Sequence, residues 1–420
     1  MMDSPRPLVH PPPPPWPRRR LWAFLLWTAI GLAALEGLAR LAGFPPTEEA
    51  RTVTDWEVGW LYRPHFEWVM NGWNPRIPDR VMRINSRGLR GERDYPTPRE
   101  DGEIRVLCLG DSNTNQYHTD AWPEYLQRLL EAALPGRPVW VQNAGVAGFT
   151  TDNALALARR ELPAFEPDFV ALLVGVHDMM IVSRPASDEP LLPPLGEVMG
   201  HVSQLSAFTH WIRALAYQEA LHPLGGRPAD VYAITTEDPV HRVPLDRHAQ
   251  NLRELAAVCR DHGATLIVIS TAFRRPEVTR NLNGAGYAAT ANRVAAESGA
   301  IAIDLLPHFE RPDRDSLFLY STLGDWETDP GFLDDVHFNG RASEFTAALV
   351  AQGIADRLAD ESPGSEIRTD AIARAISSFA APSPPGGDES RVIPPAWFLQ
   401  QQERGAISPG RDSVPSAPLM

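Results

Sequence analysis

From Ile104 the chain settles into a rhythm of short apolar runs and longer amphipathic stretches. Val106 to Leu109 is an apolar run that ends at Gly110, the pattern of a parallel strand covered on both faces. A helix follows over Trp122 to Ala133, with Tyr125, Leu126, Leu129 and Leu130 on its apolar side. Val139–Val141 predicts a second strand, Thr151–Leu162 a helix and Phe169–Val174 a third strand. Residues 183 to 245 break the rhythm with prolines and predict an insertion around one helix, Leu205–Leu221. Order returns with Asp246 as N-cap of a helix to His262, which Gly263 ends. Strands Thr265–Ile269 and Ile301–Ile303 and helices Tyr287–Glu297 and Ala342–Leu358 complete the series. Strands alternating with helices predict an α/β fold, a doubly wound and mostly parallel sheet.

The ends of the chain follow other patterns. Residues 1 to 20 are proline-rich, close on Arg18-Arg19-Arg20, and lack the composition for a core. Leu21 to Gly43 is apolar and, as a helix, roughly 34 Å long at about 1.5 Å per residue, enough to span a bilayer. Glu36 and Arg40 interrupt it four residues apart and can pair along one helix face. The segment is expected to be a single membrane anchor, with a cleaved signal peptide or a buried helix as alternatives. The preceding arginines keep the N-terminus cytoplasmic and leave everything after Gly43 outside. Residues 44 to 103 read as a spacer with a lead-in hairpin, its tryptophans from Trp56 to Trp73 packing against the domain or the membrane interface, with a sugar platform as the alternative. Residues 361 to 420 are rich in Pro, Ser and Gly and are expected to be a disordered tail.

Composition narrows the choice of partners. Apolar residues make up 43% of the 420, so a sizeable core is available, and the 41 prolines gather towards the ends. A net charge of −14 argues against nucleic acid or an anionic membrane surface, both of which want a basic face. The two cysteines, Cys108 and Cys259, fall at core positions and read as buried thiols, although a disulfide is possible on count alone.

Candidate chemistry stands at strand ends and before the last helix. Gly110-Asp111-Ser112 follows the first strand, Asn143-Ala144-Gly145-Val146-Ala147-Gly148 the second, and Gly175-Val176-His177-Asp178 the third, while Asp334-Asp335-Val336-His337 precedes the final helix. Serine is a weak nucleophile and needs a base. His337 can take its proton, and Asp334, three residues earlier in an expected tight turn, can orient the imidazole, with Asp335 as the alternative. The Ser112 and Gly148 N–H groups suit an oxyanion. Asp178 reads as a turn stabiliser, and Asn113 and Asn115 as local turn hydrogen-bonders. His118, His201 and His248 have no metal-ligand spacing and read as surface or loop residues, with a cleft position open to His118.

These four blocks, in this order, resemble the SGNH (GDSL-type) hydrolase and acyltransferase superfamily over roughly residues 104 to 358. The lead-in Ile84-Asn85-Ser86-Arg87-Gly88-Leu89-Arg90-Gly91 is similar to a segment of its membrane-anchored bacterial members. The resemblance implies a three-layer α/β/α domain and ester chemistry on acylated carbohydrates, lipids or small esters, with no metal or organic cofactor. It implies Ser112 as nucleophile, Asp334 and His337 as its partners, and Gly148 as oxyanion donor. At the position of the family's oxyanion asparagine stands His177, which as a neutral imidazole can donate one N–H. It either substitutes as donor, leaves a weak enzyme, or marks a changed substrate or an inactive member. The expected function is therefore a membrane-tethered, extracytoplasmic serine esterase or O-acyltransferase working through an acyl-serine, on an envelope or glycan ester by analogy. A non-catalytic binding or scaffold module of the envelope is the alternative.

Overall fold

The structure is a computed structural model that describes residues 18–41, 52–55, 57–70, 80–116, 120–180, 206, 208, 241–275, 280, 282–320, 333–364 and 366–381. The expected helix Leu205–Leu221 apart from Ser206 and Phe208, and His118, His201, Trp56 and Trp73, lie outside these residues, as do the chain termini.

Helix α1 (Arg18–Leu41) belongs to one compact unit, Met1–Ala50 with Leu195–Gly225. Its stretch Trp22–Leu41 is long and apolar enough to cross a membrane by length and composition, a test that a signal sequence also passes. Trp22, Phe24, Leu26, Trp27 and Leu32 stand exposed along it, and Arg40 pairs with Glu36 at 2.8 Å.

The second unit, Arg51–Pro194 with Gly226–Met420, is built on one sheet. Two antiparallel hairpins come first, β1 (Thr52–Asp55) with β2 (Gly59–Tyr62), and β3 (Glu67–Met70) with β4 (Arg80–Arg83). Strand β5 (Ile104–Gly110) leads into α2 (Ser112–Asn115) and α3 (Trp122–Ala133). Next come β6 (Val139–Gly145), α4 (Thr151–Phe165), β7 (Phe169–Leu173) and α5 (Val176–Met179). After the insertion follow α6 (Leu245–Asp261), β8 (Thr265–Ser270), α7 (Gly284–Ser298), β9 (Ile301–Asp304) and α8 (Leu306–Phe309). The hairpin β10 (Phe318–Tyr320) and β11 (Leu333–Phe338), then α9 (Gly340–Glu361) and α10 (Asp370–Ala380), are the last elements among the described residues.

The central sheet runs β6-β5-β7-β8-β9 and all its pairings are parallel. Period-two alternation divides each strand between two cores. Leu107, Leu109, Val170, Leu172, Leu266 and Val268 face one core, with Leu157 and Leu162 of α4, Leu252 and Leu255 of α6 and Val294 of α7. Val106, Cys108, Ala171, Ile267, Ile269 and Ile303 face the other, with Leu126 and Leu130 of α3, Phe345 and Ile354 of α9 and Ile372 of α10. This is a three-layer α/β/α fold. The strand order reverses beside β5, so the carboxyl end of β5 is the crevice where such sheets bind ligands. Both cysteines are buried free thiols.

Four expectations change. Residues after 360 include α10, which packs on α3 and α9 because Ile372, Ala375 and Phe379 form a buried stripe inside the Pro-rich stretch. The spacer belongs to the fold, since Val58, Leu61, Tyr62, Met82, Ile84, Leu89 and Tyr95 enter the core shared with α4 and α6. Asp246 is not an N-cap, because Pro244 occupies that position and Asp246 lies in the first turn of α6. The Asp334–His337 stretch is not a tight turn but lies on β11, whose pairing with β10 is irregular between Phe318 and Tyr320.

Candidate active site

Ser112 opens α2 directly beyond the carboxyl end of β5, where Asp111 caps the helix by accepting from the Asn113 N–H at 2.9 Å. Gly110 is required by close approach, since a Cβ there would lie 2.3 Å from the Leu173 carbonyl oxygen and 2.0 Å from Thr114 Oγ1. The Ser112 Oγ sits 2.7 Å from His337 Nε2. For the hydroxyl to donate along this contact, the imidazole proton must be on Nδ1. The two residues are 225 positions apart in the chain, and the fold brings the first and fourth sequence blocks together.

The next residues of α2 fix this geometry. Asn113 donates from Nδ2 to the Val336 carbonyl at 3.1 Å and accepts the Phe338 N–H at 3.0 Å, so it grips β11 on both sides of His337. Asn115 Nδ2 donates to the Gly145 carbonyl at 3.0 Å, and Gln116 Nε2 to the Phe338 carbonyl at 2.7 Å. The expected local turn bonds of Asn113 and Asn115 are thus long-range ties from α2 to β11 and β6. The carbonyls at the end of α2 are also satisfied: Thr114 O accepts from Asn143 Nδ2 at 2.8 Å, and those of Asn115 and Gln116 accept from Arg90, which also pairs with Glu124.

Gly148 follows β6 in a turn closed by Phe149 N–H to the Val146 carbonyl, at a φ of +85° that an L side chain rarely adopts. The spacer hairpin holds this loop. Trp60 Nε1 donates to the Ala147 carbonyl at 3.1 Å, and the Ala147 N–H donates to the Tyr62 hydroxyl at 3.3 Å. Trp60 also meets Phe149 edge to face at 5.4 Å, so it packs against the domain.

Third-block residues sit on α5. His177 is partly exposed, and its Nδ1 lies 3.1 Å from Met180 Sδ. Burial, and then the charges of Arg242 and His337, push its pKa down to about 3, so the ring is neutral. Asp178 is the turn stabiliser expected, and more. It accepts the Thr151 N–H at 2.8 Å and the Thr151 hydroxyl at 2.7 Å, joining α5 to the start of α4, and it pairs with His248 Nδ1 at 2.6 Å. His248 is therefore a buried tie between α6 and α5 rather than a surface residue. Burial first, and the Asp178 charge next among the raising causes, push Asp111 up to about 7, against the opposing pull of the Asn113 N–H and His337.

The side chains of Asp334 and Asp335 lie outside the described residues. Among the described residues no group of three His, Cys, Asp or Glu gathers as a metal site. Sequence reasoning missed Arg90 and Arg242. The first stood in the lead-in segment already singled out, and the second carried no signal inside an irregular insertion.

Comparison with known proteins bears on this arrangement. A curated acetylxylan esterase of Xylanibacter ruminicola is 33% identical over 97 residues, which span 20% of this chain and 19% of the relative's own length. Among solved structures, a catalytic mutant of the acetylxylan esterase Axe2 from Geobacillus stearothermophilus aligns at 16% identity and a TM-score of 0.35, over 59% of this chain and 92% of that one. The lipase/acylhydrolase from Enterococcus faecalis aligns at 18% identity and a TM-score of 0.36, over 60% and 96%. The GDSL-like Lipase/Acylhydrolase family model matches residues 108–344, a span that begins inside β5 and ends past His337. A match over more than half of the chain, around a serine and a histidine in contact beyond the central strand, makes this chain a member of the GDSL-like lipase/acylhydrolase family.

Proposed function

We propose that the protein is a membrane-tethered serine esterase that removes short acyl groups, acetyl foremost, from carbohydrate or envelope hydroxyls. The observation that carries this reading is the 2.7 Å contact between Ser112 Oγ and His337 Nε2 at the end of β5. Ser112 attacks the acyl carbonyl while His337 takes its proton. Asp334, or Asp335 next to it, accepts from His337 Nδ1 and stabilises the imidazolium. The Ser112 and Gly148 N–H groups receive the oxyanion. The alcohol leaves with the proton from His337, and water, or an acceptor hydroxyl in a transferase, releases the acyl group from Ser112. The acetyl and carbohydrate assignment draws on the curated relative, an acetylxylan esterase. Tethering draws on α1 and the arginines at its start, before the apolar span, which favour a cytoplasmic N-terminus and an outward-facing domain.

The test is labelling of the full chain with a fluorophosphonate, alongside turnover of 4-nitrophenyl acetate and acetylated xylooligosaccharides. Both labelling and turnover are expected, and both should vanish in Ser112→Ala. A chain that neither labels nor turns over any ester would instead favour the non-catalytic envelope module, a reading supported by the replacement of the oxyanion asparagine with His177.

A further inference from the structure

The exit of the insertion lies directly against the third block. His241 Nδ1 bonds the Met179 carbonyl at 2.8 Å, the Arg242 N–H donates to the Met180 carbonyl at 2.7 Å, and the Val243 N–H to the Asp178 carbonyl at 3.0 Å. Val243 is fully buried, and its own carbonyl accepts the Tyr287 hydroxyl at 2.6 Å. The backbone of Arg242 is thus fixed on both sides. Its side chain turns towards the second block, where Nη1 donates to the Gly148 carbonyl at 3.3 Å. Among the described residues no carboxylate pairs with this guanidinium, and its Nε and Nη2 are uncommitted. The two carboxylates whose charges favour it are engaged elsewhere, Asp178 with Thr151 and His248, and Asp152 with Arg247 and Asn251. A partly buried cation therefore stands between Gly148 and α5.

The residue that replaces the family's amide donor is poorly placed to donate. A thioether sulfur only accepts, so for His177 Nδ1 to donate along its 3.1 Å contact with Met180 Sδ the ring proton must be on Nδ1. Nε2 is then a lone pair. A neutral ring in this tautomer accepts hydrogen bonds at its free nitrogen and offers an oxyanion nothing there.

We propose that Arg242 supplies the oxyanion donor that His177 does not, completing with Ser112 and Gly148 the electrostatic site for the tetrahedral intermediate. The proposal rests on the Ser112 esterase reading above. As the Ser112 Oγ–C bond forms, the hydroxyl proton passes to His337 and the carbonyl π pair moves onto oxygen. That oxygen accepts from the Ser112 and Gly148 N–H groups and from the guanidinium. When the intermediate collapses, the pair returns, the C–O bond to the alcohol breaks, and the leaving oxygen takes the proton from His337. Arg242 transfers no proton. Its charge acts most strongly where negative charge develops, so its removal should lower kcat more than it raises KM.

The test uses the full chain, with 4-nitrophenyl acetate turnover and the rate of fluorophosphonate labelling as readouts, because phosphonylation of Ser112 also places negative charge on an oxygen. Arg242→Gln should lower both kcat and the labelling rate by about 10²-fold, with KM nearly unchanged. Arg242→Lys keeps the charge and should fall less. Adding His177→Asn to Arg242→Gln restores the carboxamide donor and should recover at least about tenfold, which a merely structural role of Arg242 would not produce. Wild-type rates in Arg242→Gln, a change confined to KM, or a folded double variant no faster than Arg242→Gln would each overturn the proposal. If Arg242→Gln shows no melting transition, Arg242→Lys becomes the deciding variant, and wild-type kcat and labelling rate there would overturn the proposal. A wild-type chain without Ser112-dependent labelling would instead overturn the esterase reading itself.

Discussion

His337 meets Ser112 because Asn113 grips the strand on both sides of it, at the Val336 carbonyl and the Phe338 N–H. Asn113→Ala would remove both of these hydrogen bonds and leave the buried Phe338 N–H without its acceptor, at about 1–3 kcal/mol, and would loosen the strand that carries His337. A displacement of about 1 Å can cost on the order of 10² in rate, so kcat should fall by roughly that factor beyond the loss of stability. Kinetics measured well below the melting temperature separate the two effects, and unchanged kcat in a folded variant would show that the grip does not position His337. Asp111 makes a pH prediction. In the unfolded chain it ionises near about 3.9, whereas in the fold burial and the Asp178 charge hold it up to about 7. Between these values the folded state binds more protons, so its contribution is complete below about 3.9, is lost as pH rises, and levels off above 7. Asp111→Asn can still accept the Asn113 N–H and never ionises. Its melting temperature relative to wild type should rise between about pH 4 and pH 8, and a constant difference across that range would refute the assignment.

Four residues make a poor helix on their own, because nucleation costs more than one turn returns. α2 is held instead by ties to its surroundings: Asn113 and Gln116 to β11, Asn115 to β6, Asn143 to the Thr114 carbonyl, and Arg90 to the last two carbonyls. Arg90→Met should therefore remove the donor shared by the Asn115 and Gln116 carbonyls and the ion pair with Glu124, lowering stability by about 2–3 kcal/mol, and should slow labelling of Ser112, as read from denaturant titration and fluorophosphonate kinetics. Arg90→Lys should recover only part, since one ammonium cannot reproduce the forked geometry. These ties also explain what the sequence could convey. Strand β7 and the centre of β5 were legible because burial on both faces forces an unbroken apolar run, while the ends of β5 at Ile104, Arg105 and Gly110 fell outside the expected Val106–Leu109. Ser112, Gly148 and His337 were legible as motif residues at element edges. The partners of Asn113, Asn115 and His248 were not, because a side chain that reaches another block leaves no local period. Arg242 was hidden for the same reason, inside a segment with no regular pattern. α10 was missed because a Pro- and Ser-rich composition outweighed its three-residue apolar stripe.

At the scale of the molecule, the family match begins at residue 108, but the folded unit begins near residue 51. Val58, Leu61, Tyr62, Met82, Ile84, Leu89 and Tyr95 are buried in the core that also holds Leu107, Leu162 and Leu252. At about 1.5–3 kcal/mol per buried apolar side chain, these seven contribute roughly 10–20 kcal/mol. That is as large as the whole net stability of a typical domain, about 5–15 kcal/mol. The same segment supplies Trp60 and Tyr62 to the loop carrying Gly148, and Arg90 to α2. A chain starting at Glu103 should therefore aggregate or melt without cooperativity. One starting at Arg51, which omits α1 and keeps the lead-in, should remain soluble without detergent, melt in one transition and label at Ser112 at the rate of the full chain. Calorimetry and labelling of the two chains decide the matter. A cooperative transition in the shorter chain within a few degrees of the longer would mean that the lead-in is a true spacer and that the site stands without its support.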